Sequence, residues 1–250
     1  MTEFYEADLR GSTFRRVDLS DAEFSNADLS RVVMKDVDLI DVTITGHIEN
    51  LTINEVDIEP LVNEELDRRY PLRAKMRPTD AEGFRAAWDI VESLWAGTVE
   101  RARQLTPEQL HESVAGEWSF IETLRHLVFA TDSWIRRAIL GDPAPWHPLG
   151  LPWSEMPDTP GVPHDRRARP SLDAVLELRR ERMNSVREVV DSLSDESLAD
   201  YTTAVEGPGW PEPRPYLVRD CLLVILNEEW EHRRYAERDL NTLLATDASP

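Results

Sequence analysis

Large apolar residues recur every five positions along the first part of the chain, a spacing that neither an α-helix nor a β-strand produces. A small or β-branched residue stands two positions before most of them, as Ala7 stands before Leu9. A five-residue period fits a chain that turns a square corner at each repeat and points its large residue to a common axis. The pattern therefore predicts stacked coils. The recurring residues are Phe4, Leu9, Phe14, Leu19, Phe24, Leu29, Met34, Leu39 and Ile44.

The letters of these repeats, as in EADLR, VDLSD and NADLS, resemble the A(D/N)LXX pentapeptide-repeat family. The resemblance implies a short right-handed quadrilateral β-helix, which we place at residues 1–58, with Ile48 to Ile58 in a looser final coil. Only a few coils fit into this length, and stacked coils stabilise one another. We therefore expect the segment to pack against the rest of the chain or against a second copy, as a homodimer.

The remainder of the chain has the periodicity of helices. Prolines at positions 60, 71 and 78 predict a linker over residues 59–78. Apolar residues at three- and four-residue spacing then predict four long amphipathic helices, and hence a four-helix bundle over residues 79–250. Seven prolines predict an irregular connection over residues 142–169. The fold class is thus α+β with two domains. The predicted helices run from Thr79 to about Gln104, from about Glu117 to Leu140, from Ser171 through Val190, and from about Tyr216 to Leu244.

Candidate chemistry lies on two of these helices. Glu228 and His232 are one turn apart on a stripe of the fourth helix that apolar residues mark as core-facing. His126 has apolar neighbours on the second helix. A buried carboxylate needs a counter-charge, which a divalent cation would supply. Two histidines and one carboxylate with a fourth position open match a catalytic zinc site, and the same ligands accept other first-row metals.

Spacing alone leaves other interpretations open. A histidine on an apolar helix face is usually a hydrogen-bonded core residue, and a Glu–His pair four apart can be a surface ion pair. A di-iron bundle needs a Glu-x-x-His motif on two helices. Glu229 supplies one such glutamate, but Thr123 stands where the second is required. Glu122 could still add a carboxylate near His126.

The segments EWSFIETLRHLVFATDSW and LNEEWEHRRYAERDL resemble the DinB-like (damage-inducible) four-helix metalloprotein family over about residues 79–245. Many members hold a metal with three histidines, whereas this chain has Glu228 at one of those positions. That departure matches the related mycothiol-dependent maleylpyruvate isomerases, whose zinc is held by a His, Glu, His set. The resemblance implies a metal at His126, Glu228 and His232, with zinc as the first candidate and nickel or iron as alternatives. It also implies a low-molecular-weight thiol such as mycothiol.

Three further side chains are candidates for substrate binding. Trp118 and Tyr235 could wall the pocket, although aromatic residues at helical spacing are more often core. Arg238 could bind an acidic substrate or the carboxylate of a thiol, or could instead form an ion pair with Glu231 or Asp239.

Charge and composition narrow the classes of partner. The net charge of −20 argues against binding to nucleic acid and disfavours anionic membranes. An apolar run such as Leu222–Leu226 is too short to span a bilayer, and the first residues lack the pattern of a signal peptide. The single cysteine, Cys221, excludes an internal disulfide and is interpreted as core. We expect a cytoplasmic protein that acts on a small molecule.

The leading hypothesis is a metal-dependent enzyme of the thiol-S-transferase or isomerase type, with the thiol activated at an open metal site. One alternative is a non-catalytic interaction or scaffold protein that uses the face of the pentapeptide repeats. The other is a metal-dependent hydrolase that activates water.

Overall fold

The computed structural model describes residues 3–247 as a mainly helical chain with six α-helices and one two-stranded sheet. Residues 1–2 and 248–250, the outer ends of the two predicted domains, lie outside the described residues. The chain separates into two compact units, Met1–Ile48 and Glu49–Pro250. The division therefore falls earlier along the chain than the boundary after residue 58 that the repeat pattern predicts.

The five-residue period is present in the backbone of the first unit. Gly11, Asp21 and Arg31 have φ values of 76°, 60° and 62°. Each is the third residue of a turn closed by a backbone hydrogen bond of 3.0–3.2 Å, and a type II turn requires a positive φ at that position. The repeats thus turn the chain at regular intervals. The remaining residues of the series with positive φ are Glu6, Arg16, Asn26, Asp36, Asp41 and Gly46.

A β-helix is not shown for these repeats. Residues 3–48 contain no assigned strand, and the large apolar residues predicted to fill an axis are exposed, for example Phe24 by 63% and Leu29 by 48%. The physical reason is that a repeat buries its apolar side only against neighbouring coils, of which this short segment has few. The predicted α+β class is accordingly corrected to a mainly helical one.

The second unit begins with a β-hairpin where a final coil is predicted. Strands β1 (Thr52–Ile53) and β2 (Val56–Asp57) are antiparallel, with Ile53 opposite Val56. Asn54 and Glu55 connect them with φ values of 49° and 68°, the double positive φ that a two-residue type I′ turn requires.

The structure adds helices to the predicted linker over residues 59–78. Helix α1 (Glu59–Arg69) and a 3-10 helix (Arg73–Met76) occupy most of it. Pro60 lies in the first turn of α1, where a proline starts a helix because its missing N–H has no partner there to lose. No residue of α1 is buried, so the segment has little of the apolar periodicity from which a helix is predicted.

The four long helical segments are confirmed. Asp80 caps α2 by accepting from the N–H of Gly83, and Ser171 caps α4 by accepting from the N–H of Ala174. The second segment differs in detail, because α3 is followed directly by a π-helix. The helices are α2 (Ala81–Ala102), α3 (Phe120–Thr131), the π-helix (Asp132–Ile139), α4 (Leu172–Ser192), the short α5 (Asp195–Leu198) and α6 (Val218–Asp247).

The core of the second unit lies between these helices. Helix α3 packs against α4 and α6, and α2 packs against the same two helices. Residues 142–169 contain neither helix nor strand, as the prolines predict. Within residues 3–247, the structure has no helix with both the length and the apolar character that a membrane crossing requires.

Candidate metal centre

The three predicted ligands come together between α3 and α6. Glu228 Oε2 lies 3.3 Å from His126 Nε2 and 3.1 Å from His232 Nε2. One donor atom of each residue lies within 4.8 Å of the other two. Nitrogen and oxygen ligands of a tetrahedral ion with bonds of about 2.0–2.2 Å are separated from one another by about 3.3 Å. The two distances from Glu228 Oε2 therefore match the spacing of ligands around one small cation.

The site lies where the interior of the bundle meets solvent. The side chain of His126 is 9% exposed, whereas those of Glu228 and His232 are 28% and 22% exposed. On α6, Cys221 before the two ligands is fully buried, whereas Tyr235 after them is 38% exposed. A ligand from solvent can therefore approach the α6 side of the site, while the α3 side is closed.

The tautomer of His126 is fixed by the backbone. Its Nδ1 lies 2.9 Å from the carbonyl oxygen of Leu151 and donates to it. Nε2 of the neutral ring then carries a lone pair, and this lone pair faces Glu228 Oε2, which is also an acceptor. Two acceptors at this distance are stabilised by a cation placed between them, and the contact to the carbonyl is the support that metal-bound histidines have.

The ionisation of these ligands follows from their surroundings. Burial lowers the pKa of His126, which favours the neutral ring. Burial alone would raise the pKa of Glu228, but His126 and His232 in their protonated forms donate to this carboxylate and bring its pKa below the ordinary value; a metal ion takes the place of those protons when the rings are neutral. A neutral imidazole and an ionised carboxylate are the forms that bind metals.

Arg125 holds the connection over residues 142–169 against this end of α3. The side chain of Arg125 is buried, and it donates to the backbone carbonyls of Leu149 at 2.8 Å, Ala168 at 3.3 Å, and Asp165. Leu151 in turn donates its N–H to the Arg125 carbonyl at 3.1 Å. Sequence reasoning missed this support. The available signal is an arginine inside the apolar run FIETLRHLVFA, because a buried guanidinium needs internal acceptors.

Of the three predicted substrate-binding residues, one lies against the predicted metal ligands and the other two lie against each other. The Trp118 ring lies parallel to that of His232 with centroids 5.7 Å apart, and 4.6 Å from that of His126. The guanidinium of Arg238 lies 5.2 Å from the Tyr235 ring centroid and donates to Asp239 at 2.7 Å. Trp118 therefore contacts the ligands, whereas Tyr235 and Arg238 form a pair of their own, and the ion pair with Asp239 is formed.

The two other carboxylates considered for this site have structural partners. Both oxygens of Glu229 accept from Arg179 at 2.8 Å in a buried ion pair. Glu122 accepts from the N–H and the hydroxyl of Ser119 in the capping box that starts α3. Neither belongs to the His–Glu–His group, so the arrangement does not support a di-iron bundle.

Family models match both parts of the chain. The family model described as the DinB superfamily matches residues 90–236, which is more than half of the chain. The chain belongs to the DinB superfamily. In this DinB superfamily chain a second family model, described as pentapeptide repeats, matches eight copies over residues 2–46. No curated protein and no solved structure matches the chain.

Proposed function

We propose that this DinB superfamily chain is a metal-dependent enzyme of the thiol-S-transferase or isomerase type. In this proposal a divalent metal, zinc first and nickel or iron as alternatives, is held by His126, Glu228 and His232. The enzyme would use a low-molecular-weight thiol such as mycothiol, act on a small-molecule substrate, and work in the cytoplasm. The observation that carries it is that both imidazoles face one carboxylate oxygen at a partly exposed edge of the bundle.

The number and exposure of the ligands support a reactive site over a structural one. Structural zinc sites have four protein ligands, whereas catalytic sites have three and an open position. The group here has three members, and two of them are partly exposed. A metal bound by them would act as a Lewis acid that stabilises the thiolate of an incoming thiol at neutral pH.

The thiol has to come from outside the chain. Cys221 is the single cysteine, and it is fully buried. Burial raises the pKa of its thiol to about 12, so it is neither ionised nor accessible at neutral pH. This supports a soluble thiol as the nucleophile.

The surrounding side chains supply orientation and binding. Trp118 stacks on His232 and limits the directions in which a thiol can approach. Arg238 keeps a half-exposed guanidinium beside Tyr235 while it pairs with Asp239. We assign to this pair the binding of an anionic group on the thiol or on the substrate, since guanidinium groups suit carboxylates.

Replacement of the metal by Co²⁺ and titration with glutathione or mycothiol test the proposal. Sulfur coordination gives Co²⁺ an absorption band in the near ultraviolet, and we expect this band to grow with thiol and to saturate. The His232→Ala variant is expected to lack the band, whereas His164→Ala, which removes a histidine outside the site, is expected to keep it. The absence of a thiol-dependent band in a Co²⁺-loaded protein would overturn the thiol assignment and favour hydrolysis with water at the open position.

A second function, as an interaction module, is favoured by the exposed apolar rows of the repeats. Phe14 is 59% exposed and Met34 is 58% exposed, and apolar rows of this kind mark interaction surfaces. We propose that the repeats complete a quadrilateral β-helix in a homodimer. Sedimentation equilibrium tests this: the wild type is expected to be a dimer and Phe24→Asp a monomer, and a monomeric wild type would contradict the proposal.

A further inference from the structure

A cavity of the helical unit lies on the side of α6 that faces away from the proposed metal ligands. It has a volume of about 410 Å³, within the range of small-molecule sites. Successive residues of a helix are rotated by about 100°, so Arg219, Leu223 and Trp230 project from α6 roughly opposite Glu228 and His232. The other side of the cavity is built by α1 and by the 3-10 helix with the residues that follow it. The lining residues there are Asn63, Arg73, Met76, Arg77 and Pro78.

Two of the three arginines in this cavity are already paired. Arg73 donates to Asp67 Oδ1 at 2.7 Å and to the side-chain oxygen of Asn63 at 2.8 Å. Arg77 donates to the other carboxylate oxygen of Asp67. The charge of a single aspartate therefore faces two guanidinium groups, and the pair leaves net positive charge at the wall of the cavity.

The third arginine is not compensated. Among residues 3–247, no carboxylate pairs with Arg219, and its Nε is buried without a hydrogen-bond acceptor. The lining glutamate, Glu231, accepts from Arg234 at 2.5 Å, so its charge is already balanced. A buried guanidinium N–H without an acceptor is costly, and an anion in the space beside Arg219 would supply the acceptor.

The remaining wall provides hydrogen-bond donors and apolar surface. The side-chain oxygen of Asn63 is used by Arg73, which leaves its NH₂ group to donate. The indole N–H of Trp230 is also buried without an acceptor, and Trp230 is 7% exposed. Met76 and Leu223 supply apolar contacts. Donors and positive charge thus predominate in a chain whose net charge is −20.

The geometry points to a binding site for a small organic anion in this cavity, with its carboxylate or phosphate head group on Arg219 and its apolar part against Met76, Leu223 and Trp230. Guanidinium groups bind both kinds of head group through paired N–H donors. The site is separate from the proposed metal centre and does not depend on it.

Calorimetric titration with benzoate, phenyl phosphate, inorganic phosphate and neutral benzamide tests the site. We expect benzoate or phenyl phosphate to bind and benzamide to bind at least tenfold more weakly, with affinity that falls as salt screens the charge. The tighter of the two aryl anions identifies the head group. In ¹H–¹⁵N spectra, the indole resonance that disappears in Trp230→Phe is expected to shift on binding.

Two variants with equal charge change separate the cavity from general electrostatics. Arg219→Gln is expected to lose at least tenfold in affinity, whereas Arg180→Gln, which removes an exposed arginine of α4, is expected to bind as the wild type does. His232→Ala is expected to keep the binding, because the metal ligands lie on the other side of α6.

Three results would overturn the assignment. The first is the absence of binding by every anion at millimolar concentration in the wild type. The second is equal binding of benzamide and benzoate, which would leave only an apolar cavity. The third is equal loss in Arg219→Gln and Arg180→Gln. The comparison of benzoate with benzamide uses the wild-type chain alone, so it stands even where Arg219→Gln does not fold.

Discussion

The buried ion pair between α4 and α6 allows a quantitative test of the packing beside the proposed metal centre. The side chains of Arg179 and Glu229 are 4% and 1% exposed, and both carboxylate oxygens accept from the guanidinium at 2.8 Å. Arg179→Met keeps the aliphatic bulk and removes the charge. The carboxylate is then buried without a partner, which costs about 3–5 kcal/mol. We expect the free energy of unfolding to fall by that amount.

Urea unfolding followed by tryptophan fluorescence measures this change in the helical unit. All eight tryptophans lie between residues 88 and 230, so the signal does not include the repeats. The control is Arg180→Met on the same helix, whose partner Glu177 and whose own side chain are 69% and 67% exposed. An exposed pair contributes about 0–1 kcal/mol, and the control is expected to change stability by no more than that.

The double variant Arg179→Met/Glu229→Leu separates charge from packing. Two apolar side chains of similar volume often replace a buried ion pair at little cost, so we expect the double variant to recover most of the stability that Arg179→Met loses. The reasoning would be refuted if Arg179→Met cost no more than Arg180→Met, or if the double variant lost the sum of the two single losses.

The remaining predictions concern Cys221, Gly209 and Arg125 of the helical unit. Cys221 is expected to resist a disulfide reagent such as DTNB at pH 8 in the native protein and to react fully in urea; reaction in the native state would contradict its burial. Its pKa of about 12 exceeds the ordinary value of 9.0, so the folded protein keeps a proton that the unfolded chain releases above pH 9. The free energy of unfolding of the wild type, relative to that of Cys221→Ala, should therefore fall by up to about 1.4 kcal/mol per pH unit above pH 9. Urea unfolding of both proteins at pH 8 and pH 10 measures this fall. The same difference between the two proteins at both pH values would refute the prediction. A Cβ added at Gly209, where φ is 148°, would lie 2.9 Å from Arg137 Cζ, so Gly209→Ala should lower the free energy of unfolding by about 1–3 kcal/mol. The control Gly207→Ala should lose less, because a Cβ there meets nothing within 4 Å. Equal melting temperatures of the two variants would argue against the contact. Arg125→Met should speed hydrogen exchange in residues 142–169 and weaken zinc binding at least tenfold, as the loss of support for a ligand does, whereas the exposed Arg167→Met should do neither.

Helix periodicity located most of the fold because the relevant faces are amphipathic. The four long helices lie within a few residues of their predicted positions, since α2, α3 and α4 begin at residues whose side chains cap them. Helix α1 was not predicted, because none of its residues is buried and its sequence therefore lacks an apolar face. The π-helix after α3 was not predicted either, because the apolar spacing over such a short segment does not distinguish a π-helix from an α-helix of 3.6 residues per turn.

The three candidate ligands could be proposed from the sequence, whereas the backbone contacts that hold His126 in place could not. Glu228 and His232 share a helix, so a spacing of four residues brings them together. His126 lies on a second helix, where its apolar neighbours make it a candidate, and the resemblance to the DinB-like family supports its grouping with the other two residues. The carbonyl of Leu151 belongs to an irregular connection and carries no side-chain signal, so only the folded structure reveals that it fixes His126.

For the repeats, the sequence predicts the turns of the backbone but not the burial of the side chains. Their period predicts where the chain turns, and left-handed residues such as Asp21 and Arg31 stand at that period. It does not predict burial, because an apolar residue such as Leu29 is covered only where enough coils or a second surface lie against it.

Metal analysis of the purified protein tests the central claim most directly. Mass spectrometry of the wild type, purified without added metal and then equilibrated with zinc and dialysed, is expected to find one zinc ion per chain. His164→Ala is expected to retain it, and His126→Ala and His232→Ala are expected to lose it. Wild-type protein that retains no metal, and whose melting temperature zinc does not raise, would contradict the claim that His126, Glu228 and His232 form a metal centre.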